Sequence, residues 1–325
     1  MEKIAIPLTA VIRAHQFIKP HIHQTPLVHS PFLSERAGAD VWLKLENQQP
    51  TGSFKVRGAL NKIGRLTAGE KARGIVAASA GNHALGVAHA VQSWGGVQAD
   101  IFVPETASLP KINKLRRYPI RLRLTGQTYE DAHQAAAAFS DETGAVEISA
   151  YDDLEVITGQ ATAAWEIFRE LPQVDTILLP VGGGGLLAGV TAVAQTIHPA
   201  GRIVGVQPEA SPAALLSLQA GRAIDPYDHE PTIADGLAGG FGAVPFSVIR
   251  DHPPDILLAG ETAIRRAVYN LLAEHQLVIE PSGASAITPL LDGRLDIAGQ
   301  TVVCVLTGGN LDMTLLQEIV EEMGG

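Results

Sequence analysis

The chain has 325 residues, 46% hydrophobic and 18% charged, which excludes a disordered protein and leaves room for one large or two modest domains. Its 24 Lys and Arg stand against 34 Asp and Glu, a formal net charge of −10, so neither nucleic acid nor an anionic membrane surface is expected as a partner. A single cysteine, Cys304, excludes an internal disulfide framework and fits a reducing, cytoplasmic compartment.

The opening stretch "MEKIAIPLTAVIRAH" has no long apolar core and no small-residue cleavage site, so no signal peptide is expected. At 51–55, "TGSFK" sets one lysine, Lys55, among small residues and a phenylalanine, just ahead of a helical pattern. Strands are expected at 74–79, 99–104, 120–125, 145–149, 174–181, 202–208 and 301–306, from short β-branched and apolar runs. Helical patterns fall between most of them, at 82–94, 127–140, 153–170 and 185–197, and a last one at 311–323. The basic run at 111–123 reads as a solvated helix and the strand after it. Thr176–Ile197 carries no charge and is long enough to span a bilayer. Pro180 and four consecutive glycines interrupt it, so a strand, a glycine loop and a buried helix are expected instead. The segment 211–260, rich in Pro, Gly and Asp, reads as loop-rich. Cys304, inside "TVVCVL", reads as a buried and inert thiol.

Strands separated by helices imply an α/β fold of parallel βαβ units with right-handed crossovers. Ligands in such folds sit at the carboxyl ends of the strands. Four turns rich in glycine or hydroxyl groups fall at the expected ends of strands or starts of helices: 51–55, "SAGNH" at 79–83, "GGGGLLAG" at 182–189 and "TGGN" at 307–310. In the third, glycines let the backbone curl so that several N–H groups face one anion, and the helix dipole adds to the attraction. A tight strand-to-helix turn is the plain alternative. A dinucleotide site is a poor fit, because Leu187 stands where a third glycine is needed. "SAGNH" suits a carboxylate with its exposed N–H groups and the Asn82 amide, or else Ser79 and Asn82 merely cap a helix. Thr307 offers a hydroxyl able to donate to a ring nitrogen, or is a routine turn residue. Lys55 is either an ordinary surface lysine or a nucleophilic amine. A phosphate cradle, a carboxylate loop, a hydroxyl and a lysine together are the parts of a pyridoxal 5′-phosphate site.

The chain resembles the fold type II pyridoxal-phosphate enzymes, and among them the serine/threonine dehydratases, with serine racemase as a relative. The likeness runs over nearly the whole chain, from "TPLVHSPFLSERAGADVWLKLENQQPTGSFKVRGAL" through "GGGGLLAG", "TIADG" and "EPSGA" to "TGGN". It implies two open, twisted, mostly parallel sheets with helices on both faces. Residues 1–47 and 148–325 would form a large cofactor-binding domain and 48–147 a smaller one, with no C-terminal regulatory domain. Lys55 resembles the Schiff-base lysine and catalytic base. Phe54 would pack near the cofactor ring, and Asn82 matches the asparagine that bonds its 3-hydroxyl. Gly182, Gly183, Gly184, Gly185 and Leu186 match the phosphate loop, and Thr307 the partner of the ring nitrogen. Ser79, Ala80, Gly81, Asn82 and His83 match the loop that holds the substrate carboxylate. The implied reaction is β-elimination of water from L-threonine, and from L-serine, giving a 2-oxo acid and ammonia. A homodimer or homotetramer is implied as well.

Two departures refine this. Where serine racemases keep a serine as the second-face base the chain has Ala80, which argues for a dehydratase and leaves racemisation, or another 3-hydroxy amino acid, as the alternative. Gln207 and Ala213 stand where relatives place acidic ligands for a divalent cation, so no metal is expected, although Glu209 is nearby. A nicotinamide oxidoreductase, or a binding module with no use for Lys55, are the readings from other classes.

Overall fold

The computed structural model describes residues 4–324. The chain termini, and with them the outermost domain bounds expected at 1 and 325, lie outside the described residues. Ten strands form two sheets: β1 Leu27–His29, β2 Asp40–Leu45, β3 Ile75–Ala78, β4 Ala99–Val103, β5 Arg121–Leu124, β6 Val146–Glu147, β7 Thr176–Pro180, β8 Arg202–Pro208, β9 Asp255–Ala259 and β10 Thr301–Leu306. The larger sheet has the order β1-β2-β10-β7-β8-β9, and the smaller β5-β4-β3-β6. Every pairing is parallel except β1 with β2.

Parallel strands covered on both faces need apolar residues at every position, and β7 and β10 supply them. Ile177, Leu179, Val303 and Val305 face one buried cluster, with Val190 and Val193 of the helix Gly185–Ile197. Leu178, Val302, Cys304 and Leu306 face the opposite cluster, with Val268 and Leu271 of the helix Glu261–His275. Burial pushes the Cys304 thiol well above its ordinary range. A third cluster packs the helices Lys55–Gly64 and Asn82–Trp94 against β3 and β4. The range 48–147 encloses the smaller sheet. No described helix is long and apolar enough to cross a membrane.

Two expectations are corrected. The helix over 153–170 is two helices, Leu154–Gln160 and Thr162–Glu170, broken at Ala161, where the Thr162 hydroxyl donates to the Gly159 carbonyl at 2.6 Å. The segment 211–260 holds the helices Ala213–Ala220 and Ala243–Ile249, a 3-10 turn and β9. Each is too short to show a period, and prolines and glycines separate them. The basic run is the expected helix, Leu109–Leu115, and the strand after it, with most of its basic side chains exposed; Lys111 pairs with Asp235 at 3.1 Å, Lys114 donates to Asn310 at 3.1 Å, and Arg123 to Asp100 at 2.7 Å. The strand β2 escapes the sequence pattern because "DVWLKL" contains Lys44, a residue that ordinarily marks a surface. Here Lys44 is fully buried and ion-paired.

Candidate active site

The turns 51–55 and 307–310 lie against each other. Ser53 and Gly308 form an isolated antiparallel bridge. The Phe54 N–H donates to the Thr307 carbonyl at 3.0 Å, and the Gly309 N–H to the Gly52 carbonyl at 2.9 Å. The Asn310 amide donates to the Thr51 carbonyl at 2.8 Å. This strap ends where Lys55 starts a ten-residue helix. Thr307, at the carboxyl end of β10, is buried, and Phe54 is half-buried.

The Lys55 amine donates to the Ala150 carbonyl at 2.9 Å rather than to a carboxylate, and lies 5.3 Å from the centre of the Phe54 ring. Burial lowers its pKa to about 8, with Glu280 pulling the other way. A lysine in that range is an available nucleophile and base near neutral pH.

"SAGNH" follows β3 and opens the helix Asn82–Trp94. Neither Ser79 nor Asn82 caps it. Gly81 holds the N-cap position, and the Ser79 hydroxyl accepts from the Gly81 N–H at 3.1 Å. A Cβ at Gly81 would meet nothing within 4 Å, so this turn faces open space. Ala80 is half-buried. The His83 ring is turned into the core, with its Nε2 2.7 Å from the Ile148 carbonyl. A carbonyl only accepts, so Nε2 carries the proton. Burial, and then the charge of Lys55, lower the His83 pKa to about 4 and keep the ring neutral. What His83 can offer the turn is therefore its backbone, not its ring.

The Asn82 side chain reaches the other strap. It donates to Glu280 at 2.6 Å and accepts from the Asn310 amide at 2.7 Å. Glu280 and Asn310 were not singled out from the sequence, although both lie in motifs that carry the resemblance. Burial pushes the Glu280 carboxyl up to about 7, against the stabilising bond from Asn82.

The glycine loop closes the site. It lies at the carboxyl end of β7 and the N-terminus of a 13-residue helix, whose first N–H groups have no intrahelical acceptor. Gly184 has φ +93°, and a Cβ there would lie 2.3 Å from the Phe241 ring. A Cβ on Gly183 would enter the Tyr151 ring at 2.2 Å. Tyr151 follows Ala150, the acceptor for Lys55, so the loop and the amine are two contacts apart. Leu186 is buried beneath. Lys55, Phe54, Asn82, Thr307 and the glycine loop thus come from four distant segments to one place. An amine not committed to an ion pair, a helix N-terminus, an amide and a hydroxyl are the donor set that a phosphorylated pyridine aldehyde needs, and they fit it.

Gln207 accepts from the Ala214 and Leu215 N–H groups at 3.1 and 3.2 Å, spending its oxygen on a helix start. Among the described residues no cluster of three or more His, Cys, Asp or Glu could hold a metal ion.

A family model described as "Pyridoxal-phosphate dependent enzyme" matches residues 18–308. The L-threonine ammonia-lyase of Thermotoga maritima is 39% identical over 318 residues, 98% of this chain and 79% of that protein. The catabolic L-threonine dehydratase TdcB of Escherichia coli is 34% identical, over 97% of this chain and 96% of that one. Among solved structures, maize serine racemase superposes with a TM-score of 0.90 at 30% identity, covering 99% of each chain. The processed form of threonine deaminase isoform 2 from Solanum lycopersicum gives 0.90 at 30% identity, covering all of this chain and 98% of that one.

Proposed function

The chain belongs to the family of pyridoxal-phosphate dependent enzymes, and on that premise we propose that it is a threonine ammonia-lyase, converting L-threonine to 2-oxobutyrate and ammonia and L-serine to pyruvate and ammonia. The observation that carries this is Lys55: a half-buried amine, free of any carboxylate and held near pKa 8, at the junction of three glycine-rich turns. Relatives named for threonine deamination, 34–39% identical over nearly the whole chain, support the choice of substrate.

In this reading Lys55 tethers the cofactor. The Gly182–Gly185 backbone holds its phosphate, Asn82 its 3-hydroxyl, Thr307 its ring nitrogen, and Phe54 packs beside the ring. When bound, pyridoxal phosphate supplies the electron sink that makes the substrate α-proton acidic. The Ser79–Asn82 turn receives the substrate carboxylate on its backbone N–H groups, with His83 contributing backbone alone. Once the substrate amine has taken its place on the cofactor, the freed Lys55 amine would take the α-proton, and the C–O bond to the β-hydroxyl would break as that oxygen leaves as water with a proton returned from Lys55. Hydrolysis of the resulting enamine returns one water and releases ammonia and the 2-oxo acid. Thr307 is a neutral hydroxyl and does not protonate the ring nitrogen, which favours prompt elimination over longer-lived carbanion chemistry. Ala80 presents only a methyl to the opposite face, so racemisation has no second base there.

The same proposal includes a cytoplasmic location, which the single buried thiol fits, and assembly as a homodimer or homotetramer, which rests on the resemblance. The test is stoichiometric: one 2-oxobutyrate and one ammonia should form per threonine consumed. A protein loaded with cofactor that releases neither from threonine or serine contradicts the proposal.

A further inference from the structure

On the far side of the Lys55 helix four charges are buried together. Arg57, Lys44 and Glu46 are fully buried and Glu166 is 1% exposed. Arg57 uses all five of its N–H donors. Its Nε donates to Glu46 at 2.7 Å, one terminal nitrogen to Thr162 at 3.1 Å and Glu166 at 2.9 Å, and the other to Glu46 and Glu166, both at 2.8 Å. Lys44 donates to Glu166 at 2.8 Å and to the Thr25 carbonyl at 2.7 Å. Two cations meet two carboxylates, so the cluster is neutral. Burying such a network is seldom more stabilising than an apolar core of the same volume, but its geometry admits one arrangement.

That arrangement joins two bodies. The Lys55 helix buries Val56, Ala59, Leu60 and Ile63 in the core of the smaller sheet. Glu46 directly follows β2, and Glu166 lies on the helix Thr162–Glu170, so both belong to the frame of the larger sheet, which also carries the glycine loop. No side chain caps the Lys55 helix. Its first turn is packed on the helix Asn82–Trp94 at Gly86, and is tied to the larger sheet by the Phe54–Thr307 bond and by Arg57, two residues beyond Lys55. We propose that Arg57 is a positioning residue: its fork on Glu46 and Glu166 locks the first turn of the helix to the larger sheet and so holds the Lys55 amine in place relative to the glycine loop. This rests on the reading of Lys55 as the cofactor's tether.

The charged groups around this helix are few. His15 lies 3.3 Å from Glu166, Asp153 pairs with Lys62, and Glu155 with Arg65. His83 and Glu280 face Lys55 itself. None of these replaces the Arg57 fork, so its removal leaves the two buried carboxylates with Lys44, and with His15 beside Glu166.

The test uses pyridoxal phosphate added to the resolved protein, following growth of the visible imine band across pH, borohydride labelling and circular dichroism. Arg57→Lys keeps the charge but loses the fork. It should fold, capture the cofactor at least ~10-fold more slowly, and keep the wild-type pH midpoint. Arg57→Met should be slow too, with its midpoint displaced upward, the sign of losing a positive charge near an amine. Glu46→Gln should shift the midpoint the opposite way, and it carries the charge test if Arg57→Met does not fold. Arg57 variants that capture cofactor at the wild-type rate with the wild-type midpoint, even if they melt earlier, overturn the proposal. A wild-type protein labelled at another lysine overturns the tether reading itself, a result distinct from wild-type labelling at Lys55 with indifferent Arg57 variants.

Discussion

Asn82 donates its amide to the Glu280 carboxylate at 2.6 Å. Asn310, donating to the Asn82 oxygen, fixes which way round that amide lies and leaves its second hydrogen for a ligand. Two residues 198 positions apart are thereby made one unit across the cleft.

Glu280→Gln should loosen this unit, because a glutamine must turn its oxygen toward Asn82 and gives up the charge that strengthens the bond. Cofactor affinity should fall about 10-fold, the equivalent of ~1.4 kcal/mol, measured by fluorescence titration. The pH dependence has a definite sign. The Glu280 carboxyl is raised from the ordinary 4.5 to about 7 on folding. Between those values the folded cofactor-free protein holds a proton that the unfolded chain has lost, so this group costs stability as pH rises through that window. Denaturant melts of the Gln variant should show a flatter slope there.

Gly184→Ala should damage the loop twice. It puts a side chain at φ +93° and drives a Cβ to 2.3 Å from Phe241. A loss of about 1–3 kcal/mol in stability and at least ~10-fold in cofactor affinity is expected. A variant that melts and binds like wild type would mean that the loop tolerates a different path.

Chelation should leave activity and melting temperature unchanged, because Gln207 and Ala213 supply no carboxylate and the Gln207 oxygen is spent on backbone N–H groups. A fall in turnover on treatment with EDTA, restored by Mg²⁺ or Ca²⁺, would place a cation elsewhere, with Glu209 the first residue to test.

Elimination should greatly outpace racemisation of serine, because in the proposed reading Ala80 stands where serine racemases keep their second-face serine, and a methyl offers no acid there. Ala80→Ser should raise D-serine formation, up to the ~10²–10⁴-fold that a well-placed general acid or base contributes. Chiral analysis alongside pyruvate release decides it, and wild-type racemisation as fast as elimination contradicts the assignment.

Much of this site was legible because its chemistry sits in short motifs at strand ends. Lys55, Asn82, Thr307 and the glycine loop stand out by residue type and by place. Glu280, Asn310, Tyr151 and Arg57 do not. For Glu280, Asn310 and Arg57 the importance comes from pairings across 198, 228 and 109 positions, and for Tyr151 from the ring that packs on Gly183, none of which a local pattern encodes. His83 shows the converse: its place beside Asn82 suggests a side chain in the cleft, but the turn into the helix sends the ring to Ile148. The β-alternation also hides where a strand holds a buried charge, as β2 does with Lys44.

Lys55 is the amine proposed to carry the cofactor, and peptide mapping of the reduced protein tests this. The holoenzyme is reduced with borohydride, digested and mapped by mass spectrometry. A pyridoxyl group is expected on Lys55 and on no other lysine, with loss of the visible band in Lys55→Ala. A pyridoxyl group on a different lysine, or an unchanged band in Lys55→Ala, would contradict it.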